Sequence, residues 1–325
     1  MIKAGIIGGA GYTGGEAIRI LLNHPDVELA YVQSSSNAGN PLWKAHPDLM
    51  GETEMLFSAE WHGDVDVMFL CVGHGDARKF MEANDVPAQV RIIDLSQDFR
   101  LAAGAKFGSR EFVYGLTDMN AGKIANAKNI ANPGCFATCL QLGLLPLAAA
   151  GMLKNEVHIS ATTGSTGAGQ KPSATTHFSW RANNLSVYKP FTHQHLLEIG
   201  ESLRGLMPSF DKEINFIPYR GDFTRGIFAS IYTECDLSQE QAVKLYKDYY
   251  KDSPFTFVCD DNINLKQVVN TNKCLLHVEK HGSKLLVYST IDNLLKGASG
   301  QAVENMNIMF GLDRTAGLKL KGSAF

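Results

Sequence analysis

The chain has 325 residues, 45% hydrophobic and 19% charged. That is the composition of a globular protein long enough for two domains of about 150 residues each, not of a disordered segment. Thirty Lys and Arg against 33 Asp and Glu leave a net charge of −3, and no basic run stands out, which argues against a nucleic-acid or anionic-membrane surface.

The first 36 residues read as strand, glycine-rich turn, helix and strand. Ala4 to Ile7 are a short apolar strand, Gly15 to Leu22 a helix with Ala17, Ile18, Leu21 and Leu22 inward, and Val27 to Val32 a second strand. Met1 leads straight into this motif, which predicts no signal peptide. Gly8, Gly11 and Gly14 recur every third residue in the turn, so the backbone can approach a pyrophosphate at the helix N-terminus. A glycine triplet alone is weak evidence, but strand before and helix after make it a dinucleotide motif of Rossmann type. The second strand ends in Ser34, Ser35, Ser36 and Asn37, with no acid until Asp48. A carboxylate at that point would hold a ribose 2′-OH, whereas hydroxyls accept a 2′-phosphate, so NADP is expected, with Ser34 and Ser36 as contacts and Lys44 a further candidate.

Two more apolar strands follow in residues 64–80 and 90–101, each ending in a polar loop on the ligand side of a parallel sheet. His74 and Arg100 sit in those loops and are read equally well as ligand contacts or as solvated residues.

Asn132, Pro133 and Gly134 then force a bend directly before Cys135. From Phe136 to Ala150 the chain is apolar all round, the pattern of a buried helix rather than a surface one. Gln141, Gly143 and Pro146 interrupt it, so no stretch is expected to span a bilayer. Cys135 thus opens a helix whose unpaired N–H groups and dipole favour a thiolate. A buried packing role is the ordinary reading of a cysteine, and Cys139, one turn on, fits it. The six cysteines, at 71, 135, 139, 235, 259 and 274, are too scattered for disulfides and lack metal-ligand spacing. No metal is expected, and reduced thiols point to the cytoplasm.

In the second half, strands in residues 156–164, 213–219 and 226–237 alternate with few helices, a separate domain with a mixed sheet. Gly164, Gly167 and Gly169 make a loop at a strand end. His193 and His195 precede a helix containing Glu198, and on an extended segment residues two apart face the same side. Paired loop histidines are more often structural than catalytic, and a reactive-cysteine candidate elsewhere in the chain brings the two readings level.

The motifs GAGYTG, DLSQDFRL, YGL, ANPGCFAT, STGAG, His-x-His-x-x-Glu, RGIF and DNLLKGASGQAVENMNIMFGL occur together and in order. In this the chain resembles the N-acetyl-γ-glutamyl-phosphate reductases of arginine biosynthesis, relatives of the aspartate-semialdehyde dehydrogenases, over nearly its whole length. The resemblance implies an α/β fold: a Rossmann-type parallel-sheet domain of residues 1–134 with 299–325, whose last helix returns to it, and an α+β catalytic and dimerisation domain with a mixed sheet, residues 135–298. It implies Cys135 as nucleophile and His193 or His195 as the acid/base group. NADP contacts would come from Gly8, Gly11, Tyr12, Thr13, Gly14, Gly164, Gly167 and Asn293, and substrate contacts from Arg100, Asn132 and Arg225. It further implies a homodimer or homotetramer. The chain departs from the family at Ser35, where members carry Arg, and at Leu196–Leu197, where they carry Pro between the second His and the Glu.

By that resemblance Cys135 attacks an acyl phosphate to give a thioester, NADPH reduces it, and a histidine supplies the proton. Three other readings make different predictions. An aspartate-semialdehyde-type dehydrogenase would prefer aspartyl phosphate, a non-redox Cys-His acyltransferase or hydrolase would not need NADPH, and a non-catalytic NADP-binding regulator would not need Cys135.

Overall fold

The computed structural model describes residues 1–323 and divides into two compact units, one of residues 1–134 with 298–319, the other of 135–297 with the tail from Leu320. The first unit opens with β1 (Ile2–Ile7), α1 (Tyr12–Leu22) and β2 (Val27–Gln33). α1 begins three residues before the start read from the sequence, because Gly14 lies within it. A Cβ there would stand 2.6 Å from the Gly9 carbonyl oxygen, so only glycine lets the helix begin this close to its own turn.

The sheet continues through β3 (Val67–Leu70), α2 (Asp76–Ala83), β4 (Arg91–Asp94), the hairpin of β5 (Lys106–Phe107) and β6 (Arg110–Tyr114), α3 (Thr117–Ile124) and β7 (Asn129–Ala131). Its order is β2-β1-β3-β4-β7-β6-β5, with every pairing parallel except the hairpin. β3 is buried along its whole length, the signature of a parallel strand covered on both faces. Because β2 and β3 flank β1 on opposite sides, the carboxyl end of β1 is a switch point of the topology, where doubly wound sheets bind ligands.

The second unit begins with α4 (Cys135–Ala149) and runs through β8 (Val157–Thr163), α5 (Phe178–Arg181), β9 (Ser186–Val187), α6 (His195–Leu206), β10 (Ile214–Arg220), β11 (Ile227–Glu234), α7 (Gln239–Tyr250), β12 (Thr256–Cys259), β13 (Cys274–His281) and β14 (Lys284–Ile291). Its sheet is mixed, in the order β12-β13-β14-β11-β8-β10-β9. The last helix, α8 (Gly300–Met309), packs on α1 and α3 of the first unit.

Every residue of α4 from Phe136 to Ala148 is buried, as its all-round apolar sequence requires. Pro146 cannot donate to the carbonyl four residues back, and the orphaned Leu142 oxygen is taken by the Tyr250 hydroxyl of α7 at 2.5 Å. The Tyr246 hydroxyl donates to the next carbonyl, that of Gly143, at 2.6 Å. A Cβ on Gly143 would meet Ile231 of β11 at 2.6 Å, so this glycine lets the helix settle onto the sheet.

The division differs from the sequence reading at the C-terminal end. The chain re-enters the first unit at Ala298, one residue early, and the tail from Leu320 groups with the second unit. There Asn270 Nδ2 donates to Ser323 Oγ at 2.7 Å, a contact that nothing local in the tail announces.

Candidate active site

In the first unit, the Gly8 and Gly9 amides donate to the Gln33 carbonyl at 3.1 and 2.9 Å, tying the turn to the end of β2. Gly8 has φ +78°, and a Cβ on it would stand 2.6 Å from the Cys71 carbonyl oxygen. A Cβ on Gly11 would meet only the Gly8 oxygen, at 3.7 Å. Tyr12, Thr13 and Gly14 form the first turn of α1, where helix geometry supplies no intrahelical acceptor for the amides and no acidic side chain opposes an anion. Ser34 is buried with its Oγ 3.4 Å from Ser36 Oγ, to which Asn37 Nδ2 donates at 3.1 Å. Lys44 instead lies over the Trp43 ring, 4.8 Å from its centroid. The side-chain-free cradle, the helix start and the hydroxyl cluster without a carboxylate fit a phosphorylated dinucleotide.

Arg100 and Asn132 also lie together in this unit. Arg100 is buried, its Nε donating to the Asn132 carbonyl at 2.8 Å and its Nη2 to the Leu95 carbonyl at 3.0 Å. Asn132 in turn donates to the Ala298 carbonyl at 3.0 Å and accepts from Asn305 Nδ2 at 3.1 Å. Both side chains thus brace the ends of β4 and β7.

In the second unit, Cys135 is half-buried and is the first residue of α4. A π-helical turn at Leu295–Ser299 passes so close that a Cβ on Gly297 would stand 2.9 Å from the Cys135 Cβ. The neighbouring Phe136 ring packs edge-on against His193 (centroids 5.4 Å), His195 (6.4 Å) and Phe216 (5.1 Å). The imidazoles are brought together, 4.6 Å between centroids at 70°, but not by an extended segment as expected. His195 starts α6, and its amide donates to His193 Nδ1 at 3.3 Å, so a turn sets the pair side by side.

The two histidines have different surroundings. His195 Nε2 lies 3.8 Å from Glu198 Oε1, and both side chains are buried. Burial, followed by the positive charges of Lys189 and Arg220, brings His193 down to about 4, so it is neutral near pH 7. The Tyr188 ring stands edge-on to His193 at 5.7 Å. Its hydroxyl is pushed above the usual tyrosine range by burial first and then by the charge of the Cys135 sulfur. Over the same ring, at 4.7 Å, lies the Arg220 guanidinium, whose buried Nε makes no hydrogen bond.

Arg225 is committed elsewhere. Its Nε and Nη2 donate to fully buried Asp292 at 3.0 and 3.3 Å, and that carboxylate also accepts from the amides of Asn270, Leu294 and Leu295. Asn293 uses both ends of its amide, accepting from the Gly226 N–H at 2.7 Å and donating to Thr166 Oγ1 at 3.0 Å. It thereby pins the glycine loop, in which a Cβ on Gly164 would lie 2.4 Å from the Thr224 oxygen and one on Gly167 3.5 Å from Thr163 Oγ1. Among the described residues no group of three His, Cys, Asp or Glu side chains is arranged to hold a metal ion.

The sequence reading missed Tyr188 and Arg220, and it named Glu198 without giving it a partner. The i, i+3 spacing from His195 is the signal for Glu198. A basic residue directly after the strand read at residues 213–219 is the faint one for Arg220.

Residues 3–127 match the family described as semialdehyde dehydrogenase, NAD binding domain, and residues 135–293 match semialdehyde dehydrogenase, dimerisation domain. Solved structures of the same fold include aspartate semialdehyde dehydrogenase II of Vibrio cholerae complexed with ASA, at TM-score 0.73 and 15% identity over 96% of this chain and 98% of that one. Another is the Candida albicans enzyme with NADP, at TM-score 0.68 and 15% identity over 95% and 98%. Proteins named N-acetyl-gamma-glutamyl-phosphate reductase are far nearer in sequence. Those of Phocaeicola vulgatus and Parabacteroides distasonis are 59% and 58% identical, and that of Flavobacterium johnsoniae 58%, each over the full length of both chains. With both domain families matched and identity near 60% over the full length of both chains, the chain belongs to the N-acetyl-gamma-glutamyl-phosphate reductase family of the semialdehyde dehydrogenases.

Proposed function

We propose that the chain reduces an N-acyl-γ-glutamyl phosphate, the acetyl compound foremost, to the N-acyl-glutamate 5-semialdehyde and phosphate, with NADPH as donor, in arginine biosynthesis. The observation that carries this reading is Cys135 at a helix start, with its neighbour Phe136 packed on both imidazoles. A site with a thiol, a proton carrier and a cationic side chain suits attack on an anionic acyl donor.

Cys135 Sγ attacks the γ-carbonyl carbon, the bond from that carbon to the phosphate oxygen breaks, and a thioester remains on the sulfur. When bound, the reduced nicotinamide supplies a hydride. His195, with Glu198 one turn along α6, gives a proton to the hemithioacetal oxygen and recovers it as the C–S bond breaks and the aldehyde forms. His193, neutral near pH 7, instead orients the His195 amide. The first-turn amides of α4 hold developing negative charge on the substrate oxygen.

Arg220 is the fork for the substrate's phosphate or α-carboxylate, since its buried Nε makes no hydrogen bond. Arg100, Asn132 and Arg225, expected as substrate contacts, have their groups on carbonyls, amides or Asp292 and fit a supporting role. Asn293, Gly164 and Gly167 shape a loop wall, while Gly8 to Gly14, Ser34 and Ser36 take the nucleotide. The match to a dimerisation domain supports an assembly of at least two copies, a homodimer or homotetramer, and reduced thiols support the cytoplasm.

The test is phosphate-dependent reduction of NADP with N-acetylglutamate, N-succinylglutamate and aspartate semialdehydes. The acetyl compound should exceed aspartate semialdehyde in kcat/KM by at least about tenfold. Preference for aspartate semialdehyde, or no NADP reduction with any aldehyde, contradicts the reading.

A further inference from the structure

The connection between β2 and β3 carries no part of the glycine motif, yet one of its side chains reaches that motif. His46 is 4% exposed, and its Nε2 lies 2.8 Å from the Gly9 carbonyl oxygen. The ring also lies flat enough on α1 that a Cβ at Gly15 would stand 2.6 Å from its Cε1, and Phe57 flanks it at 6.3 Å. Burial lowers its pKa, so near pH 7 the ring is neutral, and a carbonyl partner assigns the hydrogen to Nε2.

Gly9 is held from three sides. Its N–H donates to the Gln33 oxygen at 2.9 Å, its oxygen accepts from His46, and Gly14 packs against it where a Cβ would be 2.6 Å away. The next peptides lead to Gly11, Tyr12 and Thr13, whose amides face the nucleotide in the reading above. A peptide plane fixed at Gly9 therefore fixes where those amides point, and a preorganised donor array binds more tightly than one that must be ordered on binding.

We propose that His46 is a positioning residue for the nucleotide site, its Nε2–H locking the Gly9 carbonyl and so aiming the glycine-turn amides at the diphosphate of NADPH. This rests on the reading of the glycine turn as the NADPH site.

The experiment measures NADPH affinity from nicotinamide fluorescence for wild type, His46→Phe and His46→Gln. Phe keeps a ring against Gly15 and Phe57 but has no donor, whereas Gln restores one. His46→Phe should raise the NADPH Kd about tenfold and His46→Gln less than about threefold, the scale of one lost hydrogen bond. The semialdehyde KM should stay within about twofold, because the substrate site does not involve the turn. A merely structural role would lower thermal stability in both variants without this split. His46→Phe binding NADPH as wild type does, or His46→Gln as weak as His46→Phe, overturns the proposal. Wild type that binds no NADPH overturns instead the nucleotide reading on which it rests.

Discussion

His195 and Glu198 lie on one face of the first turn of α6, the imidazole Nε2 3.8 Å from a carboxylate oxygen and both groups closed off from solvent. Their spacing of three residues means that helix formation alone brings them together. A buried carboxylate with an imidazole beside it orients the ring and stabilises its cation during proton transfer. Glu198→Gln, which keeps the shape and removes the charge, should lower kcat by about 10- to 100-fold and leave NADPH affinity unchanged. Wild-type kcat in this variant would remove Glu198 from the mechanism.

The neighbouring histidine has a different part. His195→Asn should lower kcat by about a hundredfold or more, and His193→Asn by less than about tenfold. His193 also leaves a signature in stability. The unfolded chain protonates it near 6.5 and the folded chain only near 4, so between those values the unfolded state holds more protons. Its contribution is complete above 6.5 and is lost as the pH falls toward 4, by up to about 3 kcal/mol. Urea midpoints measured from pH 7 to pH 4 should fall less steeply for His193→Gln than for wild type. Parallel curves would show that His193 titrates alike in both states.

Much of this site is legible in the sequence where the signal is local. The glycine turn announces itself because β1 and α1 flank it, and the Asn-Pro-Gly bend marks the start of α4 because only a buried helix is apolar all round. The His193–His195 pair came out adjacent for a different reason from the one expected: a turn, closed by the His195 amide, and not an extended strand. Tyr188 and Arg220 were not legible, since their place against His193 comes from the pairing of β9 with β10, which no local pattern encodes. Nor was the commitment of Arg225, whose partner Asp292 lies 67 residues along the chain. His46 gives no motif at all, and only the folding of its connection over α1 shows what it touches.

The second cysteine of α4 is a control. Cys139 is fully buried, donates to the Ser289 carbonyl and hydroxyl at 3.4 Å, and is held protonated by burial first of all. Cys139→Ser should keep wild-type activity within about threefold while costing on the order of 1 kcal/mol of stability, the usual cost of a polar change in a packed core. Cys135→Ser should have no measurable turnover and still bind NADPH. Equal losses in the two variants would mean that position on the helix, and not Cys135 itself, is what activity requires.

Cofactor choice follows from the end of β2. With Ser34 and Ser36 clustered and no carboxylate beside them, NADPH should exceed NADH in kcat/KM by at least about tenfold. Ser36→Asp should shrink or reverse that ratio by repelling the 2′-phosphate. Specificity constants that are equal for the two cofactors in wild type would show that the hydroxyl cluster does not select.

The central claim is that the chemistry runs through a thioester on Cys135, and withholding phosphate isolates that step. The enzyme mixed rapidly with N-acetylglutamate semialdehyde and NADP, without phosphate, should form about one NADPH per active chain in a burst and then stall, because the acyl group has no acceptor. Intact-mass and peptide analysis of the stalled enzyme should find one N-acetylglutamyl group, on the peptide bearing Cys135, and added phosphate should release it and restart turnover. Steady NADPH formation without phosphate, or a burst with no acyl group on Cys135, would contradict the account.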